Sequence, residues 1–148
     1  MRRLVPLLVV VFCYAFAQEE EPEFRFLTPL TVNTMQVAMS NSGEWVGTQC
    51  PDFIKLEEYL PPACLRYPAT IDATRAYVDE TFAAYDNVMP SSELWKEMTP
   101  GRVVTRTFVG LEPETRKGVV FLLTLYWNPF DMGPAGTIIG VTELDREE

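Results

Sequence analysis

Asp72, Asp79 and Asp86 stand seven apart in a stretch with helical periodicity, the most regular spacing of potential ligands or acid/base groups in the sequence. Neighbours lie two turns apart, about 10 Å along the axis. That is too far for one hard cation, whose oxygen ligands sit at about 2.3–2.6 Å. Arg75 falls three after Asp72 and four before Asp79 and can pair with either. This face therefore reads as solvated surface, with docking to a basic partner as its other use. Glu57 and Glu58 lie beside Tyr59, but adjacent helical residues diverge, and paired-carboxylate chemistry needs two carboxyls facing each other across a bond. Ser92 and Lys96 are one residue too far apart for the S-x-x-K dyad. Met35 and Met39 could offer thioethers to Cu(I). With no third soft ligand near them, core packing is the better reading.

The chain has no histidine. That excludes Ser-His-Asp and Cys-His catalysis and histidine-based zinc sites. There is no P-loop and no G-x-G-x-x-G. Of three cysteines, Cys13 lies in an N-terminal apolar stretch, leaving Cys50 and Cys64. In an oxidising compartment these two are expected to pair. A closed loop of about 15 residues contributes on the order of 3 kcal/mol. Pairing also removes the last thiol nucleophile. No metal, cofactor or catalytic residue is expected, and a non-catalytic protein is favoured over an enzyme.

The most suggestive binding residues are Tyr126, Trp127, Phe130 and Met132, at a strand end and in a Pro/Gly-rich loop. Loops carried on a rigid scaffold present side chains to partners. The competing reading is that Trp127 and Phe130 fold back to plug the open end of the core, with Trp45 and Trp95 able to join either arrangement.

The element that must position these residues is 118–127 (GVVFLLTLYW), an apolar, β-branched and aromatic run. Ten residues are too few to cross a bilayer and suit one strand buried on both faces. Residues 102–109 and 137–144 read as strands on either side of it. Pro100-Gly101, the polar connection 110–117 and the loop 128–136 separate them, which makes an antiparallel meander. Residues 70–89 read as the one long helix, capped by Thr70, striped by Ile71, Val78, Phe82, Tyr85 and Met89, and ended by Pro90. Residues 91–98 and 52–60 suggest short helices. Residues 24–30 suggest an edge strand. Residues 31–40 fit either period and are read as strand.

At the N-terminus, Arg2 and Arg3, an apolar stretch to Phe16 and Ala15-Phe16-Ala17 make a secretory signal over residues 1–17. Cleavage there leaves 131 of 148 residues and takes the formal charge from −9 to −11. An acidic lead-in (18–23), a single α+β domain (24–144) and an acidic tail (145–148) follow. The charge repels phosphate backbones, so nucleic acid is not an expected partner, and no span is expected in the mature chain. The sequence thus reads as an α+β domain: one long helix plus short helices on an antiparallel meander of three to five strands, stapled by one disulfide. It is expected to be secreted or periplasmic and to bind another exported protein, a peptide or a glycan. A carrier of a small apolar ligand and a carboxylate-dependent hydrolase are the alternatives.

Overall fold

The computed structural model describes residues 25–41, 44–52, 64–128 and 135–147. Two helices and seven strands follow in chain order: α1 (Val32–Ser40), β1 (Val46–Thr48), β2 (Cys64–Tyr67), α2 (Ile71–Ala83), β3 (Val88–Pro90), β4 (Lys96–Thr99), β5 (Val103–Leu111), β6 (Gly118–Asn128) and β7 (Gly136–Arg146). All seven strands join one antiparallel sheet in the order β1-β2-β7-β6-β5-β3, with β4 also paired to β5. The architecture is mostly sheet. The expected long helix on three to five strands is not what forms.

β5 and β6 pair along nine positions and β6 and β7 along ten, so β6 sits at the centre. The pleat sends alternate residues to opposite faces. Val104 and Phe108 of β5, Phe121, Leu123 and Leu125 of β6, and Ile139 and Val141 of β7 share the face that meets the helices. From above come Met35 and Met39 of α1 and Ile71, Val78 and Phe82 of α2. Phe82 and Phe108 meet at 5.1 Å between ring centres. Burying each such side chain stabilises the fold by about 1.5–3 kcal/mol.

The misread elements have physical causes. Residues 32–40 are helix because Thr31 and Thr34 form a reciprocal capping box, and the pair Met35 and Met39 is buried one turn apart. Helix α2 stops at Ala83, six residues short of Met89. Asn87 supplies the reason. Its Oδ1 accepts from Leu27 N at 2.8 Å, and its Nδ2 donates to Leu27 O and to Leu111 O, both at 2.9 Å. Its carbonyl accepts from Leu111 N at 2.8 Å. This buried amide ends the helix region and hands Val88 and Met89 to β5. Tyr85 and Met89 matched the helical stripe only by spacing. Residues 25–30 form no strand, because these side-chain bonds and one from Leu30 N to Glu112 Oε1 take the place of a ladder. Residues 91–98 hold no helix but a turn and β4. The helix expected over 52–60 falls outside the described residues beyond Asp52, as do the signal sequence and the acidic lead-in.

Cys50 and Cys64 form a disulfide with a Cα–Cα distance of 5.1 Å. An intramolecular disulfide is compatible with an exported protein. It joins the residue two past β1 to the first residue of β2 and packs with Ile138 on the sheet face away from the helices. Among the described residues no helix is long and apolar enough to cross a membrane.

Candidate functional site

Of the four expected binding residues, Tyr126 and Trp127 lie among the described residues, and these two do not share a face. Tyr126 and Trp127 are consecutive in β6 and so point to opposite faces. Tyr126 packs against the disulfide cluster on the far side of the sheet. Trp127 packs against the main core on the helix side, and its N–H bonds Arg102 O at 2.8 Å. Phe130 and Met132 lie outside the described residues. Trp127 shares its cross-strand row with Thr137 and Tyr67. Beyond Tyr67, the rings of Trp45 and Tyr77 close the same end of the layer. Trp45 and Tyr67 stack at 4.7 Å, Tyr67 and Tyr77 at 5.2 Å, and Trp45 meets Tyr77 at 5.7 Å. The Tyr77 hydroxyl donates to Met39 O at 2.7 Å. The three rings thus pack on one another. Among the described residues the buried Trp45 indole N–H finds no hydrogen-bond partner, an uncommon condition.

The second cluster lies toward the β3/β4 edge. Arg106 is on β5 between Val104 and Phe108, facing the helices, and its side chain is buried. A guanidinium there must be paired and hydrogen-bonded or it costs several kcal/mol. Its Nη1 donates to Asp79 Oδ1 at 2.7 Å. Its Nε and Nη2 donate to Ser92 O at 3.1 and 2.8 Å, and Nη2 also donates to Glu93 O at 2.9 Å. Asp79 is held from the other side by Trp95 Nε1, at 3.0 Å through Oδ2. The guanidinium carbon lies 5.9 Å from the Trp95 ring centre and 5.7 Å from that of Phe108, within cation–π range. Ser92 Oγ donates to Leu94 O at 3.2 Å.

The result is a turn, 91–95, fixed on both sides of one residue. Ser92 and Glu93 are pinned through their carbonyls and Trp95 through its indole. Leu94 between them is 79% exposed, the most exposed large apolar residue described. Met98 and Met89, on the flanking short strands, are 57% and 46% exposed. Sequence reading took Asp79 as solvated surface and Ser92 as a possible nucleophile. The missed signal was parity: in Val104-Thr105-Arg106-Thr107-Phe108, the apolar alternation puts Arg106 on the buried face, which requires an acidic partner.

The other chemical candidates separate. Asp72 is solvent-exposed and lies 3.6 Å from Arg75, which also reaches Glu97 at 3.5 Å. Asp86 lies beyond the helix and accepts from Arg25 N at 3.1 Å. Ser92 and Lys96 are a turn residue and a strand residue, with the Ser92 hydroxyl committed to Leu94 O. Met35 and Met39 are fully buried. Glu57 and Glu58 lie outside the described residues. Among the described residues, no three or more His, Cys, Asp or Glu side chains are placed to hold a metal ion. Comparison with protein-family models, curated proteins and solved structures gives no match for this chain.

Proposed function

We propose that this chain is a small exported binding module with no chemistry of its own, which engages another exported protein through the apolar turn at Leu94. The observation that supports this is the use of a buried guanidinium to fix a turn whose central side chain is largely exposed. Burying Arg106 is costly unless every donor finds an acceptor. Here the acceptors are Asp79 and two carbonyls of the turn itself, so the cost is met by rigidity in that turn. The backbone that carries this exposed side chain is fixed before any encounter, which lowers the ordering cost of association. Single exposed apolar residues are common. Single exposed apolar residues clamped from both sides are not explained by packing.

A second contact at Tyr126, Phe130 and Met132 stays within this proposal, because the half-buried Tyr126 ring lies on the face the helices leave uncovered. Trp127 drops out of it, since its ring packs on the core. The test is affinity capture from the native exported fraction with the mature chain from Gln18 onward, beside a folded Leu94→Asp variant and a folded Phe130→Ala/Met132→Ala variant. A protein retained by the parent and lost with Leu94→Asp supports the reading. Loss only with the second variant moves the contact to the 126–132 region. Equal capture by all three, or none, sinks it and returns weight to the ligand-carrier and hydrolase readings.

A further inference from the structure

We infer that two copies of this chain pair weakly through the outer face of β5 and β6, the sheet face turned away from the helices. The inference does not rest on the Leu94 contact. It starts from a pattern in the two strands. An antiparallel sheet with one solvated face sends apolar residues inward and polar ones outward, and this chain is 22% charged. Yet the residues that alternate outward from Val103 to Val109 on β5, and from Val120 to Tyr126 on β6, are only Val, Leu, Thr and Tyr. All are half-buried, and both helices lie on the opposite face. Met89 extends this surface beside Val109 and is 46% exposed. Charge returns at the borders, where Lys96 stands beside Thr105 and Asp145 beside Val120. A charge-depleted centre within a polar rim is the composition of a protein contact.

Charge and chemistry together name a second copy as the occupant. The chain carries a formal −9. Two such chains repel where their charged surfaces meet, and on this face they can approach without opposing like charges. The polar groups of the patch are hydroxyls. Thr105 and Thr124 stand directly opposite each other, and Thr107 is two along. A hydroxyl both donates and accepts, so a row of them complements its own copy, which carboxylates or ammonium groups cannot do. An isologous two-fold contact requires that self-complementarity. Two sheets stacked at about 10 Å interdigitate their side chains, and Leu122 among the shorter threonines supplies the relief.

Area sets the strength. The nine residues of β5 give about 30 Å of length, and three strand widths from β3 and β4 to β6 give about 14 Å, on the order of 400 Å² per copy. Standard interfaces bury about 800 Å² per partner, so this pair belongs to the weak class and dissociates on dilution.

The test is sedimentation equilibrium of the chain from Gln18 onward, between about 0.01 and 1 mM protein. The mass should climb from monomer toward dimer across that range. Raising salt from about 0.05 to 0.5 M should tighten the pair, because it screens repulsion between acidic chains. Leu122→Lys and Thr107→Lys should each weaken it about tenfold or more by placing a charge at the centre of the contact. Val37→Lys, at an exposed position of α1, is the control. It changes net charge equally and should not weaken the pair. Both face variants should keep the parent's urea midpoint, since each side chain meets solvent in the monomer. A chain that stays monomeric throughout overturns the inference. So does a dimer that loosens with salt, or one untouched by both face variants. A marked fall in the urea midpoint of both variants overturns it too, by showing that the face is packed within the single chain.

Discussion

Arg106 on β5 and Asp79 on α2 meet at 2.7 Å across the helix–sheet interface. Beyond joining two elements, the pair anchors a third, because Arg106 also holds the carbonyls of Ser92 and Glu93 while Asp79 holds the Trp95 indole. Arg106→Met keeps much of the apolar stem and removes the charge, leaving two carbonyls and a carboxylate without their donor. Breaking a buried pair costs about 3–5 kcal/mol. Asp79 keeps 37% of its side-chain surface in water, so the expected loss is lower, about 2–4 kcal/mol by urea unfolding. Amide exchange at 92–95 should rise more than at β6. Stability within about 0.5 kcal/mol of the parent would show that the clasp is not what fixes the turn.

Asn87 performs a similar task with an uncharged group. Asn87→Ala strands the backbone of Leu27 and the Leu111 carbonyl inside the protein, and each unsatisfied buried group costs about 1–3 kcal/mol. A total of about 2–4 kcal/mol is expected. Asn87→Asp should be nearly as damaging, since a carboxylate accepts from Leu27 N but cannot donate to Leu27 O or Leu111 O. If Asn87→Asp unfolds at the parent's urea midpoint, the amide is not the link between 25–30 and the sheet.

The central strands were legible in the sequence because their signals are local. β5, β6 and β7 are β-branched runs bounded by Pro100-Gly101, by a polar connection and by a Pro/Gly loop, and they need no distant partner to be seen. β1, β3 and β4 have three or four residues each. They are strands because a neighbour offers a ladder, which no window of sequence displays. The long-helix reading failed at a turn pair, Asp86-Asn87, whose side chains bond backbone sixty-odd residues away. The candidate site was half legible. Parity along Val104, Arg106 and Phe108 would have flagged the buried guanidinium, and parity along Tyr126 and Trp127 would have split the aromatic pair between faces.

That split gives a prediction of its own. Trp127 packs on the helix-side core and Tyr126 on the disulfide side. Full truncation of a buried Trp costs about 3–5 kcal/mol. Trp127 is only partly buried, so Trp127→Ala should cost about 2–3 kcal/mol and lower the melting temperature by several degrees or more. An unchanged melting temperature would return Trp127 to the list of contact residues.

The disulfide is expected to act as a staple. Cys50 and Cys64 should resist alkylation in the native protein and react after reduction and unfolding. Two freely reactive thiols in native protein would contradict the pairing. Replacing both by serine should cost about 3 kcal/mol for a loop of this length. Among the described residues β1 pairs with the sheet through three positions of β2, so it should lose amide protection first.

Arg146 illustrates what an irregular strand can do. In β7 the register skips Leu144: Glu143 faces Phe121 and Asp145 faces Val120. Three residues apart in a regular strand, Glu143 and Arg146 would point to opposite faces. The extra residue puts them on the same one, and Arg146 grips Glu143 through Nε at 2.8 Å and Nη2 at 3.0 Å. Nη2 also donates to Leu30 O at 2.7 Å, tying the approach to α1 to the last strand. The hydrogen-bonded Glu143 carboxylate holds the guanidinium above its ordinary pKa, outweighing a desolvation effect of opposite sign, and Glu112 adds to the rise. A raised cation contributes its stability at every pH below its unfolded value and loses it only as pH climbs through the folded one. The Arg146 contribution should therefore be undiminished at neutral pH and fade only in strong alkali. The pair is partly solvated, so Arg146→Gln should cost about 1 kcal/mol or less through the ion pair, with the Leu30 bond adding a similar amount. Deleting Leu144 is the sharper test. Glu143 and Arg146 would then stand two apart in a regular strand and still share a face, with the pairings to Phe121 and Val119 unchanged, so the ion pair should survive and the deletion should cost less than Arg146→Gln. A loss as large as that of Arg146→Gln would show that the extra residue does more than set the facing of the pair.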